Sequence, residues 1–172
     1  MFRFLARAVL SRSLAEPPPP VLEEDVQALA RRVTEVARDR LGRGLTIRAV
    51  DAGSCNGCEL EIHALNNVYN DLERFGLHFT ASPRHADVLL VTGPVTVNMR
   101  EALERTWTAT PDPKWVVAVG ACGLDGGVFR GGTGVVGGID AVIPVDLHIP
   151  GCPPSPTRLL QGLLALLEVV KA

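Results

Sequence analysis

The stretch Asp51-Ala-Gly-Ser-Cys-Asn-Gly-Cys-Glu-Leu-Glu-Ile62 joins a strand-like run, Leu45 to Val50, to a helix-like run that begins at Glu59. It places two thiols, Cys55 and Cys58, three residues apart just beyond the carboxyl end of the expected strand. Only two other cysteines occur, Cys122 and Cys152, and each also follows a short apolar run. In open α/β sheets, ligands bind outside the carboxyl ends of the strands, where the loops converge. Cys122 follows Lys114 to Gly120, and Cys152 follows Ala141 to Val145 with its extension through His148. All four sulfurs are therefore expected at one sheet edge.

Working outward, the pattern predicts a helix over Glu59 to Phe75, strands over Leu77 to Ala81 and Asp87 to Thr92, and a helix over Thr96 to Thr108. Strands over Lys114 to Gly120 and Ala141 to Val145 and a helix over Ser155 to Val170 complete it. Short apolar runs joined by helices predict an α/β fold with a parallel sheet covered on both faces, a flavodoxin-like three-layer sandwich spanning 45–172. A helical extension precedes it. Residues 1–20 comprise an amphipathic segment, with Phe2, Leu5, Val9 and Leu10 on one face and Arg3, Arg7 and Ser11 on another, and a stiff Pro17 to Pro20 linker. Residues 21–44 read as a second amphipathic helix, with Leu22, Val26, Leu29, Val33 and Leu41 at helical spacing. Its first turn is acidic at Glu23, Glu24 and Asp25, and Gly42 and Gly44 end it.

The 172 residues are 47% hydrophobic, ample for a core, and the formal charge of -2 gives no basic excess for tracking phosphates. Nucleic acid is excluded as a partner on that ground. No apolar run reaches the roughly 18 to 20 residues that a membrane-spanning helix needs. The arginines at 3, 7 and 12 break up any continuous apolar core of an export signal, which points to a reducing compartment.

Four thiolates suit a four-cysteine zinc site or a [4Fe-4S] cluster. Structural zinc usually sits between two C-x-x-C knuckles, whereas here the second pair is two single, distant cysteines, one of them followed by Pro153. Gly53, Gly57, Gly120, Gly123 and Gly151 flank the four positions and allow close backbone approach. Spacing thus favours iron-sulfur, with zinc, a thioredoxin-like redox pair and buried structural thiols left open.

The motifs Gly53-Ser-Cys-Asn-Gly-Cys58 with Glu61-Ile62, Thr92-Gly-Pro-Val95, Gly120-Ala-Cys122 and Ile143-Pro-Val-Asp-Leu-His-Ile-Pro-Gly-Cys-Pro-Pro154 resemble the 20-kDa-type small subunit shared by respiratory complex I and the [NiFe] hydrogenases. The resemblance covers about Leu45 to the C-terminus. It implies one [4Fe-4S] cluster with Cys55, Cys58, Cys122 and Cys152 as ligands. It further implies a non-catalytic electron-transfer subunit of an oxidoreductase complex, working between a ferredoxin-like iron-sulfur subunit and a large catalytic subunit. The N-terminal segment would meet membrane-arm subunits at the cytoplasmic face of the inner (cell) membrane, without spanning it. Complex I B-type subunits usually carry adjacent cysteines where this chain has Cys-Asn-Gly-Cys. The spaced form resembles energy-converting group 4 hydrogenases of the formate hydrogenlyase type. A quinone-reducing complex I B-type subunit and a zinc-binding structural module are the rival readings.

Glu59 and Glu61, in the first turn after Cys58, serve either as dipole compensation or as a proton relay beside the cluster. His63, His78, His85 and His148 share no ligand spacing, although His148 stands four residues before Cys152. The glycine-rich Gly126 to Gly138 stretch lacks the signature of a phosphate loop and is expected as a flexible loop packed on a partner.

Overall fold

Val88–Thr92 is a run of five consecutive buried residues, as a strand must be when helices cover both faces of its sheet. A computed structural model describes residues 26–169 and shows this strand at the centre of a five-stranded parallel sheet. The strands are β1 (Leu45–Asp51), β2 (Leu77–Phe79), β3 (Val88–Thr92), β5 (Trp115–Val119) and β7 (Leu147–Ile149), in the spatial order β2-β1-β3-β5-β7. Every pairing among them is parallel. Counting only these five strands, the order is the doubly wound 2-1-3-4-5 of flavodoxin-like folds, as expected.

The two faces of β3 divide the core. Val88 and Leu90 point into one cluster with Leu45, Ile47, Val117 and Val119, covered by α1 (Val26–Leu41) and α5 (Pro156–Val169). Leu89 and Val91 point into the other with Val116 and Ala118, covered by Leu103 of α3 (Val97–Ala109) and by Ile139 and Ile143. The helix expected from residue 21 is described from Val26, where Leu29, Ala30, Val33 and Ala37 turn a buried stripe toward Leu159, Leu163 and Leu167 of α5. The amphipathic segment expected over Met1 to Ala15, the Pro17 to Pro20 linker and the acidic turn at Glu23 to Asp25 lie outside the described residues.

Three expected elements differ. The helix after Cys58, α2, runs only over Gly57–Ala64, with a 3-10 turn at Leu72–Phe75 where the pattern predicted one continuous helix. Asparagines end it. The Asn67 carboxamide oxygen accepts the backbone N–H groups of Tyr69 and Asn70, and Asn70 Nδ2 donates to the Ala64 carbonyl at 2.6 Å, closing a turn that competes with helix. The last strand lies later than Ala141 to Val145, because Pro144 has no N–H to give to a ladder. Asp146 makes the join instead, donating its N–H to the Val116 carbonyl at 2.9 Å and accepting the Val116 N–H on its carboxylate at 2.7 Å. The glycine-rich stretch is more than a loop. It supplies β6 (Val135–Gly137), which pairs antiparallel with β4 (Val95–Thr96) in a small second sheet absent from the sequence expectation.

Because Leu90 is fully buried among large aliphatic side chains, Leu90→Ala should destabilise the chain by about 2–5 kcal/mol, whereas Val128→Ala, at an 82% exposed position, should change stability by less than about 0.5 kcal/mol. Urea unfolding of both variants checks the pair.

Candidate functional site

Each cysteine occupies a turn that its strand delivers to the carboxyl edge of the sheet. β1 ends in Asp51, whose Oδ1 accepts the N–H groups of both Gly53 and Ser54 at 2.7 Å and so bends the chain across the strand ends. Asn56 then takes a left-handed φ of 71° between the two thiols and opens α2, bringing Cys55 and Cys58 to the same side. Cys122 follows β5 directly. Gly120 turns the chain at φ 79° into the short helix α4 (Gly120–Asp125), which holds Cys122 in its first turn. Cys152 follows β7, and its loop is tied to the Cys122 turn by the Ala121 N–H donating to the Gly151 carbonyl at 2.8 Å.

Thus Cys55, Cys58, Cys122 and Cys152 lie at one edge, near enough to influence one another electrostatically. Each of the other three thiols, once ionised, raises the pKa of Cys58, and Cys152 and Cys55 do the same to Cys122. All four are free of disulfides. Burial is the main cause of the shift at Cys58, followed by Glu59 and then the other thiols, and together they push it up to about 12. Cys122 is also raised, chiefly by burial and by Cys152, against a backbone hydrogen bond from Val128 that favours its thiolate.

Glycines form the walls behind the sulfurs. A Cβ on Gly120 would stand 2.9 Å from Cys58 Sγ, one on Gly127 would stand 2.8 Å from Cys122 Sγ, and one on Gly57 would stand 3.6 Å from Cys55 Sγ. The first two are closer than real Cβ contacts allow. Of the flanking glycines expected to matter, Gly57 and Gly120 lie against sulfur, whereas Gly53 is filled by Thr96, Gly123 by Ile139 and Gly151 by Pro154. Gly127 is the one that sequence reasoning missed, hidden in the glycine-rich stretch; its place one turn beyond Cys122 was the available signal. Also missed was the role of His148, whose Nε2–H donates to the Gly120 carbonyl at 2.9 Å and pins β7 to the Cys122 turn. Among the described residues, no group of three or more His, Cys, Asp or Glu side chains is placed to hold a metal ion.

Glu59 and Glu61 part company in the structure. Both carboxylate oxygens of Glu59 are buried with no hydrogen-bond partner among the described residues, while Glu61 is half-buried. His63, His78 and His85 are exposed and stand apart from the thiols as a ligand group.

Residues 55–166, the stretch that contains all four cysteines, match the protein family described as NADH ubiquinone oxidoreductase, 20 Kd subunit. The chain is 43% identical over 155 residues to formate hydrogenlyase subunit 7 of Escherichia coli K12, covering 88% of this chain and 59% of that protein. It is 46% identical over 115 residues to the B-type subunit of the NADH-quinone oxidoreductase of Rubrobacter xylanophilus, covering 66% of this chain and 46% of that one. The chain thus spans about half the length of these two relatives. Among solved structures, a chain of the membrane-bound sulfane sulfur reductase, an archaeal respiratory membrane complex, superposes with a TM-score of 0.65 at 35% identity, covering 80% of this chain and 74% of that chain. Among the described residues, no helix is long and apolar enough to cross a membrane.

Two outcomes follow from this geometry. Gly120→Ala should lower the melting temperature more than Gly131→Ala, which has the same φ of 79° but nothing within 4 Å, and the difference separates crowding against Cys58 sulfur from backbone strain. For the metal-free chain the sign is set by Cys58: its folded pKa of about 12 exceeds its ordinary 9.0, so the folded state holds the proton more tightly. That contribution is fully present below pH 9 and is lost as pH rises toward 12, so the melting temperature of the metal-free chain should fall across that interval. Scanning calorimetry of wild type and Cys58→Ser, which should lose part of this fall, reads it.

Proposed function

Because the chain belongs to the NADH ubiquinone oxidoreductase 20 Kd subunit family, we propose that it is an electron-transfer subunit holding one [4Fe-4S] cluster on Cys55, Cys58, Cys122 and Cys152. In this reading it passes electrons between a ferredoxin-like subunit and the active centre of a large subunit, within a membrane-associated, hydrogenase-like complex. The observation that carries the reading is the convergence of four cysteines, from three different strand ends, with Gly120 and Gly127 tight against the sulfurs of Cys58 and Cys122.

The fit of the cluster to these residues rests on three points. The donor set is four thiols, the ligand number of a [4Fe-4S] cluster. Burial and neighbouring thiols raise the cost of ionising Cys58 and Cys122 in the absence of positive charge, which cluster iron would supply. The backbone is held close against two of the sulfurs, since a Cβ at 120 or 127 would stand under 3 Å from Cys58 or Cys122 Sγ. A bound cluster supplies reversible one-electron storage; the chain's own residues position it, limit water and tune its potential. Gly120 and Gly127 set the close approach of backbone, the Val128 amide hydrogen-bonds Cys122 sulfur, and His148 holds the turn in place.

The two branches of the family are matched at comparable identity, 43% and 46%, so overall similarity does not choose between them. The Cys55-Asn-Gly-Cys58 spacing supports the hydrogenase-like branch. The partners, the direction of electron flow and the peripheral place on the cytoplasmic face of the membrane belong to this proposal.

Single Cys→Ser variants at 55, 58, 122 and 152 test it. The anaerobically purified wild type should carry about four irons and four sulfides per chain and give a reduced-state EPR signal. Each variant should lose or alter that signal. A colourless wild type with one zinc per chain and no EPR signal would establish the structural-zinc reading instead.

A further inference from the structure

The glycine-rich stretch serves the cysteine edge as well as supplying β6. Just after α4, two successive residues take left-handed conformations, Gly126 at φ 92° and Gly127 at φ 52°, and fold the chain back over Cys122. The Gly126 N–H donates to the Cys122 carbonyl at 2.9 Å, which fixes where the fold-back begins. The backbone at Gly127 then lies against sulfur, since a Cβ there would stand 2.8 Å from Cys122 Sγ. Position 127 therefore requires glycine on two counts, conformation and space.

What this turn presents to the sulfur is one amide. The N–H groups around it go to oxygens: Gly127 donates to Asp125 Oδ1 at 2.9 Å, Phe129 to the Gly126 carbonyl at 3.0 Å and Arg130 to the Gly127 carbonyl at 3.2 Å. The Val128 N–H between them donates to Cys122 sulfur and favours its charged form. Cys58 has the opposite surroundings, because burial, Glu59 and the other three thiols all disfavour negative charge on it. The Val128 side chain stands apart from the contact, 82% exposed. Negative charge is thus better tolerated at Cys122 than at Cys58, and a main-chain group contributes to the difference.

We propose that Val128 is a positioning residue whose amide, acting through Cys122, raises the reduction potential of the iron-sulfur group held at this edge. The inference rests on the four-cysteine cluster reading and adds to it the element that tunes the site. A metal-bound thiolate is anionic, and reduction adds one more negative charge, part of which the sulfurs carry. An N–H dipole aimed at sulfur stabilises the reduced form more than the oxidised form, so the potential rises. The two glycines are what let the backbone come close enough to deliver it.

Proline at 128 tests this selectively. It removes that N–H while leaving the three neighbouring N–H groups in place, and its fixed φ of about −65° suits the 3-10 turn Gly127–Phe129. At a fixed ambient potential, Val128→Pro should lower the ratio of reduced to oxidised chain about tenfold, a shift of about 59 mV for one electron. The conservative variant Val128→Ala keeps the amide and should restore the wild-type ratio. EPR-monitored redox titration of the anaerobically purified full-length chains reads all three. If the proline variant takes up no iron, electron-nuclear double resonance of the reduced wild type grown with nitrogen-15 valine decides instead: it should show a nitrogen-15 coupling that weakens or vanishes in Val128→Ala. Equal potentials for wild type and Val128→Pro, an equal shift in both variants, or a valine coupling that is absent from wild type or unchanged in Val128→Ala overturns the inference. A wild type that carries no iron refutes the cluster reading itself, and this assignment falls with it.

Discussion

At the sheet edge that gathers the four cysteines, burial and the neighbouring thiols make Cys58 and Cys122 costly to ionise. The fold nevertheless brings them there. Cys58 shows the effect most strongly, with burial, Glu59 and three neighbouring thiols all acting to keep it protonated. Such a site gains stability from positive charge placed among the sulfurs, and binding it must release protons. The sheet order, the glycine walls and the cross-loop hydrogen bonds are all explicable as means of holding this unfavourable arrangement open.

The doubly wound sheet does most of that work. Parallel strands with right-handed crossovers put every loop after a strand at the same edge, so cysteines far apart in sequence become neighbours with no dedicated scaffold. The rigid layer beneath is the pair of aliphatic cores on either side of β3. At the edge itself three small contacts set the detail: Asp51 Oδ1 bends the first loop, the Gly151 carbonyl accepts the Ala121 N–H, and His148 grips the Gly120 carbonyl. The helix α2 then serves two sides, carrying Cys58 toward the other thiols and Glu59, Ile62 and His63 toward a neighbouring cavity.

The parallel α/β fold and the four-cysteine edge were legible because both follow from short apolar runs and from where the cysteines fall relative to them. The end of α2 was not. Apolar spacing through Leu65 and Leu72 resembles a continuous helix, yet Asn67 and Asn70 offer the backbone local hydrogen bonds that win over helix propagation. The last strand was misplaced because apolar content outweighed Pro144 in the reading, and the decisive Asp146 to Val116 pairing spans 30 residues. The β4–β6 ribbon lay hidden in glycines, since two-residue and three-residue strands leave too short a pattern to detect. Arg48 gave no signal, and Glu59 was read only as dipole compensation or a proton relay; that Arg48 Nε and both Glu59 oxygens are buried without a hydrogen-bond partner among the described residues depends on the fold.

The central claim is that the four thiols share one polynuclear group. Native mass spectrometry of the full-length chain, isolated without exposure to air, tests it most directly, because it counts metal and sulfide on the intact protein. The predicted result is a single dominant species heavier than the bare chain by about four irons and four sulfides, with all four cysteines protected from alkylation. A species carrying one zinc ion, or a bare chain whose four thiols alkylate freely, would contradict it.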